Sequence, residues 1–377
     1  MRDELLGRPL ADRDFVVVGA TPQELISRGF RPVGRDFPVF LHPETHEEYA
    51  LARTERKTGR GHQGFSFHAA PGVTLEEDLA RRDLTINAMA RAEDGSLIDP
   101  FGGQGDLRAG VLRHVGPAFA EDPLRVLRVA RFAARFGFVV APQTEALMRA
   151  IAASGELATL TPERIWQELS LALMTAKPSH FFTVLRRCGA LAQLFPDVDA
   201  LFGRPQRGNA NARRDAGIDC LQALDRAAAG DEPLGVRYAV LAAGLGSTMK
   251  AMALSRRLKV PAACGDLARL TARYAASVRR ARELKPAALL DLLLATDALR
   301  RPERLQAVVR TSALMQGSHD TPGVTAGLEA RLTAALAVVR GVDAAGLARE
   351  GSRAELPRRI RAARLRALRE WMRLPGT

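Results

Sequence analysis

Two hydrophobic patterns divide the chain near residue 120. Before that point the apolar positions come in short β-branched or aromatic runs separated by Gly, Pro, Asp and Arg. Residues 16–18, 38–41 and 49–52 read as short strands, and residues 21–28 as a helix capped at its start by Thr21. The same pattern predicts a mobile basic loop over 53–63, a helix over 80–91, and a turn-rich connector over 97–107 that holds Gly102, Gly103 and Gly105. From Asp122 onward Ala and Leu recur at three- and four-residue spacing, which predicts helix almost throughout. Asp122-Pro123 and Thr161-Pro162 each set a capping residue before proline at a first helical position, and Gly137 is a stop signal. Residues 203–217 read as a linker. The closing stretch, 356–374, places Leu356, Ile360, Ala363, Ala367 and Trp371 along one side and Arg358, Arg359, Arg361, Arg366 and Arg369 largely elsewhere, a basic amphipathic helix.

Length and charge narrow the function classes. The 377 residues suffice for two to four modules with a sizeable core. Lys and Arg total 55 against 42 for Asp and Glu, a net charge of +13, which favours a polyanionic partner over an arginine-rich composition without binding meaning. Aromatic residues are only 5%, which argues against base-stacking sheets. Cys188, Cys220 and Cys264 are odd in number and far apart, forming neither a disulfide framework nor a metal cluster. With no signal-peptide layout and no apolar run of membrane-spanning length, the expectation is a soluble cytoplasmic protein.

The candidate chemistry begins at Asp12 and Asp14. In a strand, residues i and i+2 share a face, so two carboxylates stand side by side, which suits a hard cation such as Mg²⁺ beside substrate phosphates. Glu48, opening a neighbouring strand, is a candidate third ligand; its alternative is a cross-strand partner for Arg53 or Arg56. In Arg81-Arg82-Asp83-Leu84-Thr85-Ile86-Asn87, the Arg82 fork matches phosphate oxygens, and Asp83 and Asn87 can hold a turn or a ribose. In Glu121-Asp122-Pro123-Leu124-Arg125-Val126-Leu127-Arg128-Val129-Ala130-Arg131, residues Asp122, Arg125, Arg128 and Arg131 fall on one helix face. Cytosine and adenine both present an exocyclic amino donor beside a ring-nitrogen acceptor. Asp122 can accept from the first and Arg125 donate to the second, which would select CTP and ATP over UTP and GTP, with Arg128 and Arg131 left for the triphosphate. Spacing alone leaves this and a plain helix cap with solvated arginines equally open.

The ordered set Arg2-Asp3, Asp12-Arg13-Asp14, the 47–53 strand, Arg81-Arg82-Asp83 with Asn87, Asp99-Pro100-Phe101 through Gly105-Asp106-Leu107, Glu121-Asp122-Pro123-Leu124-Arg125, and Thr161-Pro162-Glu163-Arg164 resembles the bacterial class II tRNA nucleotidyltransferases. These are the CCA-adding enzymes, relatives of bacterial poly(A) polymerase in the polymerase-β superfamily. The resemblance is dense to about residue 200 and looser beyond. It implies an α+β protein shaped like a seahorse, with a small polymerase-β-like head of mixed sheet and helices over 1–117, a base-reading helical neck over 118–175, and an all-α body and tail binding tRNA over 176–377. It further implies addition of C, C and A to the tRNA 3′ end from CTP and ATP without a nucleic-acid template, pyrophosphate being released. Asp12 and Asp14 match the catalytic metal pair for Mg²⁺; Asp122 and Arg125 match the base-reading pair; Arg2, Arg82, Arg128 and Arg131 match nucleotide-binding arginines. The alternatives are a poly(A) polymerase and a non-catalytic RNA-binding remnant. Monomer and dimer both remain open.

Two departures stand out. Family members open with a strand ending Gly-Gly-x-Val before Arg-Asp, whereas this sequence starts Met1-Arg2-Asp3, so the expectation is a natural start further upstream, the alternative being a product impaired by the loss of that strand. Many relatives also carry a His-Asp phosphohydrolase domain; over about 217–320 the doublet position reads Ala243-Gly244, an upstream ligand position reads Asp219, and no histidine occurs between His180 and His319. A degenerate domain without that activity is expected.

Overall fold

A computed structural model of the chain describes residues 1–9, 13–33, 39–57, 65–204, 215–316, 322–349 and 352–374, with backbone only at 55–57, 65–68 and 322–325. The architecture is α+β, and the chain forms two compact units, Met1–Ala172 with His180–Leu194 and Leu173–Ser179 with Phe195–Thr377.

The first unit opens with α1 (Arg2–Leu5), β1 (Asp14–Val17), α2 (Pro22–Ser27), β2 (Arg31–Val33), β3 (Val39–Leu41) and β4 (Glu48–Leu51). The four strands form one sheet in the order β1-β4-β3-β2, with β1 parallel to β4 and the other pairs antiparallel. One face is apolar: Phe15 stacks on Tyr49 with ring centroids 4.5 Å apart, and Val17 packs against Leu25, Phe40 and Leu51. Because side chains alternate, Asp14 and Glu48 fall on the other face. Thr21 and Glu24 form a reciprocal capping box that starts α2 where the sequence predicted it.

The next stretch departs from the sequence expectations. The expected basic loop contains β5 (Thr54–Lys57), paired antiparallel with β6 (Phe65–His68), and residues 58–63 of the expectation lie outside the described residues. The expected helix over 80–91 is instead the end of α3 (Leu75–Ala80), a 3₁₀ turn at Thr85–Asn87 and β7 (Ala90–Arg91). The reason is local: Asp83 accepts from its neighbour's backbone, the Leu84 N–H, at 2.9 Å, and such short-range side-chain bonds compete with the helix. The expected connector over 97–107 holds β8 (Leu97–Ile98) and most of α4 (Gly103–Ala109), capped by Asp99, which accepts from Gly103 N–H at 2.6 Å and Gln104 N–H at 2.9 Å. Gly103 permits the close approach of α4 to the 3₁₀ turn; a Cβ there would collide with the Thr85 carbonyl oxygen.

After β9 (Val111–Leu112) the helices take over: α5 (Leu124–Phe136), ended by Gly137 at φ +74°, then β10 (Val139–Val140) parallel to β9, α6 (Pro142–Ala153), α7 (Pro162–Leu173), α8 (Ser179–Arg187) and α9 (Ala190–Leu194).

Among the described residues beyond 195, every regular element of the second unit is a helix: α10 (Pro196–Asp199), α11 (Ala216–Ala229), α12 (Leu234–Gly244), α13 (Thr248–Arg257), α14 (Ala262–Arg279), α15 (Pro286–Ala295), α16 (Pro302–Leu314), α17 (Pro322–Arg340), α18 (Ala344–Arg349) and α19 (Leu356–Trp371). Helix α12 is buried on every side from Val236 to Ala243, including Arg237, which donates to the carbonyls of Leu173, Thr175 and Glu232. The linker expectation at 203–217 is cut short by α11, and residues 205–214 lie outside the described residues. On α19 the expected stripe positions Leu356, Ile360, Ala363, Ala367 and Trp371 are all partly buried, and the fully buried position is Leu368, which with Leu365 widens the stripe read off the sequence. Among the described residues no helix is long and apolar enough to cross a membrane.

Candidate active site

The acidic end of the site lies on the sheet. Asp14 and Glu48 are register partners in the parallel β1–β4 pair, both exposed, so two carboxylates project side by side from one face. Asp12 lies outside the described residues. Hard oxygen donors exposed at this spacing fit a divalent cation. Among the described residues no cluster of three or more His, Cys, Asp and Glu side chains is gathered for a metal, so Asp14 and Glu48 stand there as a pair.

The basic end is built around Asn87, at the close of the 3₁₀ turn. Its side-chain carbonyl accepts from Arg2 Nη1, its backbone carbonyl accepts from Arg82 Nη1 at 3.2 Å, and its amide donates to Asp83 Oδ1 at 2.8 Å. Arg2 also lies over the Phe132 and Phe136 rings, 4.8 and 5.1 Å from their centroids. Arg82 Nη2 reaches Asp78 Oδ2 at 3.2 Å, and Arg81 Nη2 reaches Asp78 Oδ1 at 2.6 Å. The two arginines flanking Asn87 share one further property: Arg2 Nε and Arg82 Nε are both buried N–H donors with no acceptor among the described residues.

Asp83 is the buried anion of the cluster. Burial would push its carboxyl up, but the Arg128 charge, Arg128 Nε at 2.7 Å and the Asn87 amide outweigh it and hold the carboxyl below the usual range. Arg128 is held charged by the same contact: burial opposes its charge, and Asp83 more than restores it.

On α5 the structure refines the surface expected from spacing. Asp122 accepts from Leu124 N–H at 3.0 Å, and Arg164 Nη2 from α7 reaches its other oxygen at 2.7 Å. Arg125 Nη2 donates to the Arg81 carbonyl at 2.6 Å. Arg128 and Arg131, assigned to a triphosphate on spacing, each carry a protein partner: Arg128 pairs with Asp83 through Nε, and Arg131 is buried with its Nε 2.5 Å from Glu168 Oε2. Sequence reasoning missed Arg164, Glu168, Asp78 and the hub role of Asn87. The Thr161-Pro162-Glu163-Arg164 motif marked the position of Arg164 without revealing that its guanidinium reaches the Asp122 carboxylate.

With that geometry in hand, comparisons with known proteins converge. A family described as Poly A polymerase head domain matches residues 1–113, and one described as Probable RNA and SrmB- binding site of polymerase A matches residues 137–202. The Multifunctional CCA protein of Nitrosomonas europaea is 52% identical over 386 residues, covering 96% of this chain and 93% of its own. That of Chromobacterium violaceum is 53% identical, covering 97% and 94%. Among solved structures, the fold is similar to the Bacillus stearothermophilus CCA-adding enzyme in complex with CTP (TM-score 0.69, 24% identity, 98% of this chain and 87% of that one). It is also similar to the Thermotoga maritima CCA-adding enzyme complexed with tRNA (TM-score 0.65, 22% identity, 97% and 85%). Near-complete coverage at this level of identity shows that the chain belongs to the family of bacterial CCA-adding enzymes represented by the multifunctional CCA proteins.

Proposed function

We propose that this protein is a tRNA nucleotidyltransferase that adds and repairs the 3′-terminal CCA of tRNA from CTP and ATP without a nucleic-acid template. The observation that carries the reading is the Asn87 cluster, where the Arg2 and Arg82 guanidinium groups converge on one residue and Asp83 holds Arg128 beside them. The head, neck and body-with-tail division expected from the sequence belongs to the same reading, as does action in the cytoplasm.

In this mechanism Arg2, Arg82 and the outer nitrogens of Arg128 grip the triphosphate, and Asp83 keeps Arg128 aimed. Arg131, locked to Glu168, supports the same helix face from behind. Asp122 accepts from the exocyclic amino group of cytosine or adenine while Arg125 donates to the adjacent ring nitrogen. Uracil and guanine present a carbonyl and an N–H there, so both contacts would become repulsive. The 3′-oxygen of tRNA forms its bond to the α-phosphorus as the bond to pyrophosphate breaks, and the arginines stabilise the departing charge. Mg²⁺ held by Asp12 and Asp14, with Glu48 as candidate third ligand, would activate the hydroxyl and neutralise phosphate charge.

The body takes no part in hydrolytic chemistry. It has no histidine between His180 and His319, and at the doublet position a Cβ on Gly244 would sit 2.7 Å from Cys220 Sγ, so helix packing occupies that space. Incorporation on a tRNA transcript lacking CCA, with each nucleotide alone and together, tests the reading. Addition that stops after C, C and A supports it, long adenine tracts would indicate a poly(A) polymerase, and RNA binding without incorporation would leave a non-catalytic protein.

A further inference from the structure

The hydrogen bonds around Arg2 continue past the nucleotide cluster and return to the helix on which they began. Starting from Arg128 on α5, the chain of contacts runs through Asp83, Asn87 and Arg2, then from Arg2 Nη2 to Asp3 Oδ2 at 2.9 Å. From there Asp3 Oδ1 accepts from Arg135 Nη2 at 3.0 Å. Arg128 and Arg135 are seven residues apart, about two helical turns, and so lie on one face of α5. The loop is closed by the helix, with Arg2 laid across the stacked Phe132 and Phe136 rings inside it.

Asp3 is surrounded by positive charge. Arg8 and Arg135 both lie over Phe136, at 4.9 and 5.1 Å from its centroid, beside Arg2. Burial alone would raise the Asp3 carboxyl, but the hydrogen bond and charge of Arg2, with the charges of Arg135 and Arg8, hold it below the usual carboxylate range. Without that carboxylate the guanidinium groups would face each other across the rings with like charge. Helix α1 has four residues, too few to hold itself by backbone bonds alone, so its placement depends on contacts to other elements. Besides the Arg2 contacts to Asn87, Phe132 and Phe136, two ion pairs are present among the described residues: Asp3 to Arg135, and Glu4 to Arg91 at 3.3 Å. The second is well exposed on both sides and belongs to a class of ion pairs that contributes little.

We propose that Asp3 and Arg135 are positioning residues for the nucleotide site, a clasp that fixes the Arg2 guanidinium and so sets the affinity for CTP and ATP alike without touching the base. The inference rests on the reading that Arg2 meets the triphosphate. It separates two properties of the enzyme: the clasp governs how tightly any nucleotide is held, while Asp122 governs which one.

Steady-state incorporation of CTP and ATP by the full chain, on tRNA lacking its CCA end, tests the clasp with Arg135→Met and Asp3→Asn. The expected result is a rise in KM of about tenfold for both nucleotides, the scale of one charge-assisted hydrogen bond, with kcat within about threefold of the parent. Discrimination against UTP should be unchanged, Arg135→Lys should recover most of the loss, and the double variant should be no worse than the weaker single one, since both cut one link. Glu4→Gln serves as the neutral comparison. A folded Arg135→Met protein, judged by an unshifted thermal melt, with parental KM values would overturn the clasp, as would a fall in kcat with KM unmoved. Arg2→Met distinguishes the two levels: lost nucleotide affinity in Arg2→Met with none lost in Arg135→Met refutes the clasp alone, whereas parental affinity in Arg2→Met refutes the role of Arg2 itself.

Discussion

Replacing Arg164 by Met asks whether base selection depends on how firmly Asp122 is held. Arg164 Nη2 lies 2.7 Å from Asp122 Oδ2, with the two side chains only 19% and 23% exposed. The Leu124 N–H holds the other oxygen at 3.0 Å and would remain. A hydrogen bond between charged groups contributes about 1.5–3 kcal/mol, and partial solvent screening brings this one toward about 1.4 kcal/mol. That is about tenfold in the population of the held carboxylate orientation. CTP and ATP, which use that orientation, should lose this factor in kcat/KM. UTP gains nothing from it and should be unaffected, so the CTP:UTP ratio should fall about tenfold. Arg164→Lys keeps the charge without the planar fork and should fall between the two. The assay is single-nucleotide incorporation on tRNA lacking CCA, with each nucleotide titrated separately. Equal losses for CTP, ATP and UTP would refute the reasoning, because they would show that Arg164 holds the helices together and does nothing for selection.

Other expectations follow from the scaffold. Gly103→Ala should raise KM for both nucleotides and lower the melting temperature, because the added Cβ collides with the Thr85 carbonyl and shifts the turn that carries Asn87; unchanged kinetics would show that the turn is not coupled to nucleotide binding. Asp83, Asp78 and Asp3 all have carboxyls held below their ordinary range, so the stability they confer is complete above about pH 5 and is lost as pH falls through their lowered values. Urea titrations from neutral to acid pH should show that loss, and Asp83→Asn should start less stable and flatten it. Gly244→Ala should destabilise the body by about 1–3 kcal/mol through overpacking against Cys220, and Cys220→Ala in the same protein should relieve most of that cost, measured by chemical denaturation.

The helical half was legible because its signals are local. Pro162 after Thr161, Gly137 at the end of α5 and the Ala/Leu spacing state helix starts, stops and faces within a few residues of where they act. Three of the four strands of the first sheet were legible for the same reason, β2 being missed, and the register that sets Glu48 opposite Asp14 made good on a neighbouring strand. The stretch from Arg81 to Leu107 was not. Its conformation follows from bonds that span distance, such as Thr85 Oγ1 to Asp106 at 2.7 Å and Thr85 N–H to the Arg113 carbonyl at 2.9 Å, which no helical periodicity encodes. The same limit applied to the arginines. Spacing placed Arg125, Arg128 and Arg131 on one helix face, but the acceptors that distinguish them, the Arg81 carbonyl, Asp83 and Glu168, come from other elements.

That distinction bears on how so basic a protein keeps an ordered nucleotide site. Unopposed guanidinium groups at close range would repel and splay, and a site assembled only when substrate arrives must meet the ordering cost out of binding energy. Here the repulsion is already answered by interleaved carboxylates: Asp78 between Arg81 and Arg82, Asp83 against Arg128, Asp3 between Arg2 and Arg135, Glu168 behind Arg131. Each carboxylate takes some donors of its arginine and leaves others, most clearly the Nε–H groups of Arg2 and Arg82. On the proposed reading, the triphosphate would meet guanidinium groups that are already ordered and aimed. On that reading, too, affinity would be carried by the guanidinium cluster and its carboxylates, whereas selection would rest on Asp122, held by Arg164 from another helix, and its partner Arg125. With different side chains assigned to the two properties, one site would accept both CTP and ATP with the same grip and still refuse UTP and GTP.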